Sequence, residues 1–433
     1  MADCFIGIDL GTSGCRGVAI DDRGVTLAQA ATVLPPSRHP RPGASEQSPD
    51  DWWAAVARVL RELLTQKPGR VRALSVDGTS STLLLCDADG VPCSPGLMYD
   101  DRRAVPQAQT IAQHAPADCA ARGPGSALAK LLYLHEKHPH VAAHAVHQAD
   151  WISGRLAARH GISDENNVLK LGYDVVERHW PEWMTRLPLP LELLPEVLPV
   201  GSPVGPIAPA IAAAFGLPTD VLVVAGTTDS NAAALAAGIE APGDAVTSLG
   251  STLVLKIFAE RPVFAADYGV YSHRLGDSWL IGGASNTGGR VLRQFFSDRQ
   301  IKQLSARIDT ERVLNLGYYP LPTPGERFPR NDPHLEPRLT PRPEDPAEFL
   351  QAMLEGIADV EATGYARLTA LGAPTPRRVF TSGGGAANEA WQRIRARRLG
   401  LPVLRAVHTE AAYGTALLAR AAVGARSTSQ SLQ

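Results

Sequence analysis

The chain has 433 residues, of which 44% are hydrophobic and 20% charged, with a formal net charge of -2. That length predicts two or three domains, and the near-neutral balance excludes a global attraction to nucleic acid or to an anionic membrane surface. No run reaches the ~20 apolar residues of a membrane span, Met1-Ala2-Asp3 lacks the features of a signal peptide, and Cys4, Cys15, Cys86, Cys93 and Cys119 show no CxxC pairing. A cytoplasmic protein with reduced thiols is expected.

Residues 5–13, FIGIDLGTS, read as an apolar strand ending in Asp9, then a turn at Leu10-Gly11-Thr12-Ser13-Gly14, then a second strand around Val18-Ala19-Ile20. Glycines in such a turn let the backbone approach a ligand, and its successive N–H groups suit an anion such as phosphate. A further strand is predicted over 25–33. Ser48-Pro49-Asp50-Asp51 is a helix start, with Trp53, Val56, Leu60, Leu63 and Leu64 on one face. The next strand, 71–76, again ends in an acid, Asp77. Three strands, a helix and a strand open a ribonuclease-H-like α/β domain with acids at one edge.

The Tyr99-Asp100-Asp101-Arg102-Arg103 stretch is a charged knot that reads equally as a solvated loop. Residues 126–160 are predicted mostly helical, with a helix end around His135, His138 and His140 in preference to a metal site. The Pro-rich segment 181–209 suits a surface excursion near a domain boundary. The strand 221–225 opens into Gly226-Thr227-Thr228-Asp229 and a small-residue helix. Asp229 reads either as a helix cap or as a base aimed into a cleft.

Leu249-Gly250-Ser251-Thr252 nearly copies Leu10-Gly11-Thr12-Ser13. Two like turns predict two like domains with a nucleotide triphosphate in the cleft between them. Strands are expected at 245–249, 253–258, 269–274 and 278–282, and a helix over 346–371. Ser382-Gly383-Gly384-Gly385 then forms a glycine turn into a helix starting near Asn388. Asn388 and Trp391, three apart, share a face there and offer an amide and an indole to a flat base. A closing helix over 410–423 and a disordered tail over 427–433 complete the chain.

Taken together, GIDLGTS at 7–13, Tyr99-x-Asp101-x-Arg103, GTTD at 226–229, SLGST at 248–252 and SGGGAAN at 382–388 resemble the FGGY family of carbohydrate kinases, in the actin-like ATPase superfamily. The resemblance implies two ribonuclease-H-like α/β domains, at 1–225 (sugar) and 226–426 (nucleotide), with the closing helix able to pack back on the first. It implies ATP and Mg²⁺, a small sugar substrate, and a monomer or homodimer. By it, Asp229 is the catalytic base. Asp9 lies at the transfer site and holds Mg²⁺ through water, and Gly11, Thr12 and Ser13 contact phosphate. Gly250, Ser251 and Thr252 form the second phosphate turn, and Gly283, Gly384, Gly385, Asn388 and Trp391 belong to the ATP pocket.

Xylulokinases of the family carry a Met-His pair where this chain has Asp77-Gly78-Thr79-Ser80-Ser81. That departure, with KLGY at 170–173 and ERFP at 326–329, resembles a compact pentulose-kinase branch of cyanobacteria and plants. D-ribulose is the implied substrate, and Asp9, Asp77, Thr79, Ser80 and Asp229 are the implied sugar contacts. A D-xylulose or polyol kinase, or a weakly catalytic sugar sensor, are the alternatives.

Overall fold

The computed structural model describes residues 2–138 and 142–430, with side chains described to residue 425. It divides into two compact units, Met1–Ala236 with Glu410–Gln433, and Ala237–Thr409. The division therefore falls after Ala236 rather than 225. Helix Asp229–Ala236 packs its small residues against the closing helix Ala411–Gln430, which belongs to the first unit. The closing helix continues through 427–430, where the sequence suggested a tail; 431–433, like His140, lie outside the described residues.

The first unit is built on a six-stranded mixed sheet in the order Pro203–Pro206, Leu222–Val224, Arg70–Gly78, Asp3–Leu10, Gly14–Ile20, Thr26–Val33. Asp3–Leu10 is parallel to Arg70–Gly78 and antiparallel to Gly14–Ile20, with Asp9 directly opposite Asp77. The parallel strands are apolar on both faces, as a doubly covered sheet requires. One face is covered by helix Pro49–Thr65, whose buried stripe is Trp52, Val56, Val59, Leu60 and Leu63. The stripe takes Trp52 rather than the expected Trp53, because the Trp52 indole N–H donates to Gln47 Oε1 (2.8 Å) and its ring packs edge-on against Trp151. The region 126–160 is mostly helical, as expected, but carries an inserted strand. Helices Ala127–Lys137 and Gln148–Ala157 are separated by the strand His144–His147, which belongs to a second, four-stranded sheet.

The second unit repeats the plan. Its sheet runs Tyr271–Leu275, Ser278–Ser285, Leu253–Ala259, Asp244–Leu249, Arg378–Ser382, Val403–Arg405. Asp244–Leu249 again has one antiparallel neighbour across a tight turn and one parallel neighbour, with Ser248 opposite Ser382. The two near-copied turns thus occupy equivalent positions, and where the first sheet sets Asp9 against Asp77 the second sets serine against serine. The helix Pro346–Ala370 fills the core of this unit.

Glycine sets how closely the closing helix approaches the first sheet. A Cβ on Gly7 would lie 2.0 Å from the Ala412 carbonyl oxygen, and one on Gly414 would lie 1.9 Å from that of Ala232. Both obstacles are backbone. Gly7→Ala and Gly414→Ala are each expected to cost about 1–3 kcal/mol in chemical denaturation. Gly205→Ala, where a Cβ meets nothing within 4 Å, is expected to stay within ~0.5 kcal/mol of the parent. Equal effects at all three positions would contradict this packing.

Candidate active site

The carboxyl ends of the central strands of the first unit carry the acids. Asp9 is 6% exposed and accepts from Arg16 Nη1 at 3.2 Å, while Arg16 Nε lies 3.4 Å from Glu410 at the head of the closing helix. Asp77 has no exposed surface. Its Oδ2 accepts from the Thr415 hydroxyl, and its Oδ1 has no partner among the described residues apart from the carboxyl–carboxylate contact with Asp9. Burial raises both carboxyls above the usual carboxylate range. For Asp9 the Arg16 charge works against that, whereas for Asp77 the charges of Asp9 and Asp229 add to it. Of the pair, Asp77 is therefore pushed up the more and Asp9 ionises first.

Full burial leaves Asp77 no surface for the sugar contact expected of it; it faces Asp9 instead. Arg16, Glu410 and Thr415 were not legible as site residues, because the helix that brings two of them follows more than 300 residues later in the chain.

Asp229 begins helix Asp229–Ala236, and its Oδ1 accepts from the Ser230 N–H at 2.5 Å. The residue before it, Thr228, pairs in parallel with Gly78. The chain thus delivers Asp229 beside Asp77, whose titration feels its charge. Asp229 is half-buried, so it serves as a helix-start acceptor while still reaching the surface.

Around these acids the 77–82 segment is tightly held. The Thr79 hydroxyl is 3.0 Å from Gln148 Oε1 and 2.5 Å from the Thr82 hydroxyl, and Thr79 N–H also donates to Gln148 Oε1 at 3.1 Å. Thr79 is 5% exposed, so the expected sugar contact is spent on the protein itself; Ser80, half-buried, remains accessible. Lys130, with no exposed surface, donates to the Ser81 and Met98 carbonyls at 2.8 and 2.7 Å. Burial lowers its ammonium to about 7. The charged knot is half a solvated loop: Tyr99, Asp100 and Arg102 are exposed, whereas Asp101 is fully buried, takes Arg103 and the Ser45 N–H, and Arg103 also reaches Glu46.

Behind Asp229, Asn166 Nδ2 donates to Thr227 Oγ1 at 2.9 Å. Asp164 holds that loop by accepting from the Asn166 and Asn167 N–H groups and from Asn167 Nδ2 at 2.6 Å. Burial, and then the Asp150 charge, push the Asp164 carboxyl up to about 7. An unfolded aspartate titrates near ~3.9, so the folded state binds the extra proton. Asp164 therefore stabilises the fold below about pH 4, and this contribution is lost as pH rises toward 7. Asp164→Asn is expected to flatten the fall in Tm between pH 4 and 7 and to be the more stable protein at pH 8. Parallel Tm–pH curves would contradict the assignment.

The first turn is pinned from behind by Gln47 Nε2 on the Thr12 carbonyl (2.8 Å) and by Leu34 N–H on the Ser13 carbonyl (3.0 Å). Thr12 and Ser13 face outward, and a Cβ on Gly11 would meet only the Gly14 carbonyl oxygen, at 3.4 Å. In the second unit, Gly250 and Ser251 are pinned the same way, their carbonyls accepting from Gly289 and Arg290 N–H. Ser251 is exposed and Thr252 half-buried.

Beside that turn lies a pocket of about 220 Å³ lined by Gly250, Ser251, Gly384, Gly385, Asn388 and Trp391. A larger pocket of about 860 Å³ shares Gly384 and Asn388 and adds Lys302, Ser305 and Arg393. The structure thus gathers Gly250, Ser251, Gly384, Gly385, Asn388 and Trp391 at one place. Two details differ from expectation. Asn388 is committed: its Oδ1 caps the Trp391 N–H and its Nδ2 donates to Ser305. Trp391 is 2% exposed and packs with the core, although its indole nitrogen has no partner among the described residues. Gly283 is not brought to the pocket. It lies within a strand where a Cβ would meet the Phe328 ring at 2.9 Å, so glycine there serves core packing. The helix Asp298–Ser305, which supplies Asp298, Ile301, Lys302 and Ser305 to the larger pocket, carries no motif that sequence reasoning recognises.

Among the described residues no cluster of three or more His, Cys, Asp or Glu has the geometry of a metal cage, and no helix is long and apolar enough to cross a membrane. Comparison with known proteins agrees with this architecture. The model of the FGGY family N-terminal domain matches residues 4–236 and that of the C-terminal domain matches 245–423. The chain is 27% identical over 409 residues to the xylulose kinase of Escherichia coli K12, covering 90% of this chain and 84% of that one. Among solved structures, the xylulose kinase from Rhodospirillum rubrum superposes with a TM-score of 0.85 at 24% identity, over 98% of this chain and 90% of that one. The glycerol kinase of Plasmodium falciparum with ADP gives 0.86 at 16% identity, over 98% and 90%. With two matching domains, duplicated glycine turns and a trio of acids at the strand ends, the chain belongs to the FGGY family of carbohydrate kinases.

Proposed function

We propose that the protein transfers the γ-phosphoryl group of ATP to the terminal hydroxyl of a ketopentose, with D-ribulose preferred. The observation that carries this reading is Asp229: a half-buried carboxylate at a helix start, beside the Asp9–Asp77 pair. The sugar is the ligand of the first unit and the nucleotide that of the second. Asp229 accepts a hydrogen bond from the terminal hydroxyl and takes its proton as the phosphoryl group moves. A carboxylate suffices, because the transition state is loose and needs orientation more than early deprotonation. Backbone N–H groups of a glycine turn of this kind stabilise charge on a phosphoryl oxygen.

Mg²⁺ fits the acids present: Asp9, the acid of the pair that ionises first, keeps a small exposed edge, and Asp77 lies behind it. A single carboxylate holding the ion through water is ordinary Mg²⁺ chemistry, and the ion would neutralise phosphate charge. The pockets beside Gly384 and Asn388 suit the nucleoside, and one structural relative was solved with ADP.

D-ribulose rests on the departure at Asp77-Gly78-Thr79-Ser80-Ser81, with KLGY at 170–173 and ERFP at 326–329; D-xylulose is the second reading, favoured by the name of the Escherichia coli relative. The ³¹P and ¹³C NMR spectra of the product test the reaction. Phosphate on the terminal carbon of the ketose is expected. Phosphate on any other carbon, or inorganic phosphate alone, would contradict it.

A further inference from the structure

The first unit buries an amino group that the reaction as proposed leaves unused. Lys130, on helix Ala127–Lys137, has no exposed surface. Its two hydrogen bonds go to backbone, the Ser81 carbonyl at 2.8 Å and the Met98 carbonyl at 2.7 Å. Taking an ammonium out of water is costly, and burial lowers this one to about 7. A methionine would fill the same space without that cost. The two bonds are therefore what the lysine contributes.

Both carbonyls belong to segments beside the acids. The Thr82 N–H donates to the Thr79 carbonyl at 3.3 Å, which closes a four-residue turn with Ser80 and Ser81 at its centre. Ser81, but not Ser80, has a positive φ, +66°. That is the pattern of a type II turn, whose third position ordinarily takes glycine or asparagine and strains a serine. The serine hydroxyl does not hold it there, since its Oγ is buried with no partner among the described residues. The hold comes from the carbonyl on Lys130. Ser80, half-buried at the tip of this turn, follows Asp77 by three residues. The other carbonyl, of Met98, leads into Tyr99, an exposed phenol that burial, then the charges of Asp100 and Asp229, raise above its usual range. Tyr99 therefore stands within reach of the Asp229 charge. One amino group ties the segment that leaves Asp77 to the segment that stands near Asp229.

We propose that Lys130 is a positioning residue of the sugar site: it keeps Ser81 in its left-handed conformation and locks the turn to the Met98 carbonyl, which sets Ser80 and Tyr99 where the sugar is received. The inference rests on the reading of the first unit as the sugar side, with Asp229 as the base. Lys130 touches no ligand and acts only through the two carbonyls. The pairing of a strained serine with a buried lysine also has a simple alternative, a glycine at 81, which reaches the same φ unaided.

Steady-state kinetics of Lys130→Met and of the double variant Lys130→Met/Ser81→Gly tests this, with ketose and ATP varied in turn and Tm measured beside them. Methionine keeps the length of the side chain and removes the donors. The expected result for Lys130→Met is a roughly 10–100-fold loss of kcat/KM for the ketose, the size of a small misplacement at a reacting centre, with the KM for ATP within about twofold of wild type. The double variant is expected to regain about fivefold or more, because glycine holds the turn without the lysine. Should Lys130→Met not fold, Lys130→Arg takes its place in both variants, since its wider head also displaces the two carbonyls. Ketose kcat/KM within about twofold of wild type, a KM for ATP that rises in step with the ketose loss, or a double variant no better than the single would overturn the proposal and leave Lys130 as a residue of the fold alone. A wild type that phosphorylates a different polyol refutes the ketopentose reading, yet the same sugar-side loss with that polyol still supports Lys130. A wild type that phosphorylates no sugar refutes both.

Discussion

Asp229→Asn is expected to lower sugar-dependent turnover roughly 10²–10⁴-fold, the usual span for removing a general base, while the protein stays folded. The asparagine keeps an oxygen in place of Oδ1, so the acceptor for the Ser230 N–H at the start of helix Asp229–Ala236 is preserved. What disappears is the carboxylate that takes the proton. Removing its charge also relieves part of the pressure on Asp77, whose carboxyl Asp229 helps to push up. Steady-state kinetics beside a thermal melt separates the effects. Loss of turnover with an unchanged Tm supports a base, and turnover within threefold of wild type in a folded variant would remove Asp229 from the chemistry.

Glu361→Leu is expected to destabilise the second unit by about 3–5 kcal/mol, a large part of the ~5–15 kcal/mol by which a domain is stable. Glu361 and Arg395 are almost wholly buried and meet through two bonds, Nε to Oε2 at 2.6 Å and Nη2 to Oε1 at 2.7 Å. Thr247 donates to Glu361 at 2.5 Å, Tyr365 lies 2.8 Å from Thr247, and Arg395 Nη1 donates to Thr381 at 2.7 Å. Thr247 and Thr381 sit opposite each other on the parallel strands that lead into the two glycine turns. Removing the glutamate strands a buried guanidinium; the double variant Glu361→Leu/Arg395→Met removes both charges and is expected to regain most of the loss. Urea denaturation of the singles and the double measures the coupling. A double variant as unstable as the sum of the singles would contradict a pairwise origin.

The repeated glycine turns and the acids at strand ends were legible because they are local: strand, turn and strand lie within about fifteen residues, and the twin turns copy one another. What could not be read was burial decided at long range. Asp77 reads like Asp9 in sequence, and only the packing of the closing helix, permitted by Gly7 and Gly414, seals it and brings Thr415 to it. Thr79 reads as an available hydroxyl, and only the approach of Gln148 occupies it. Gly283 matches a ligand-facing glycine equally well, but Phe328 sits where its side chain would be. The return of the closing helix to the first unit was anticipated; what was not legible is that helix Asp229–Ala236 packs on it and so moves the division from 225 to after Ala236.

Coupled ADP release with D-ribulose, D-xylulose, ribitol and glycerol, each against a sugar-free blank, tests the central claim most directly. The account predicts turnover above the blank for the ketopentoses, with the highest kcat/KM for D-ribulose and little for glycerol. Rates at the level of the blank for both ketopentoses, or a clear preference for glycerol, would contradict it.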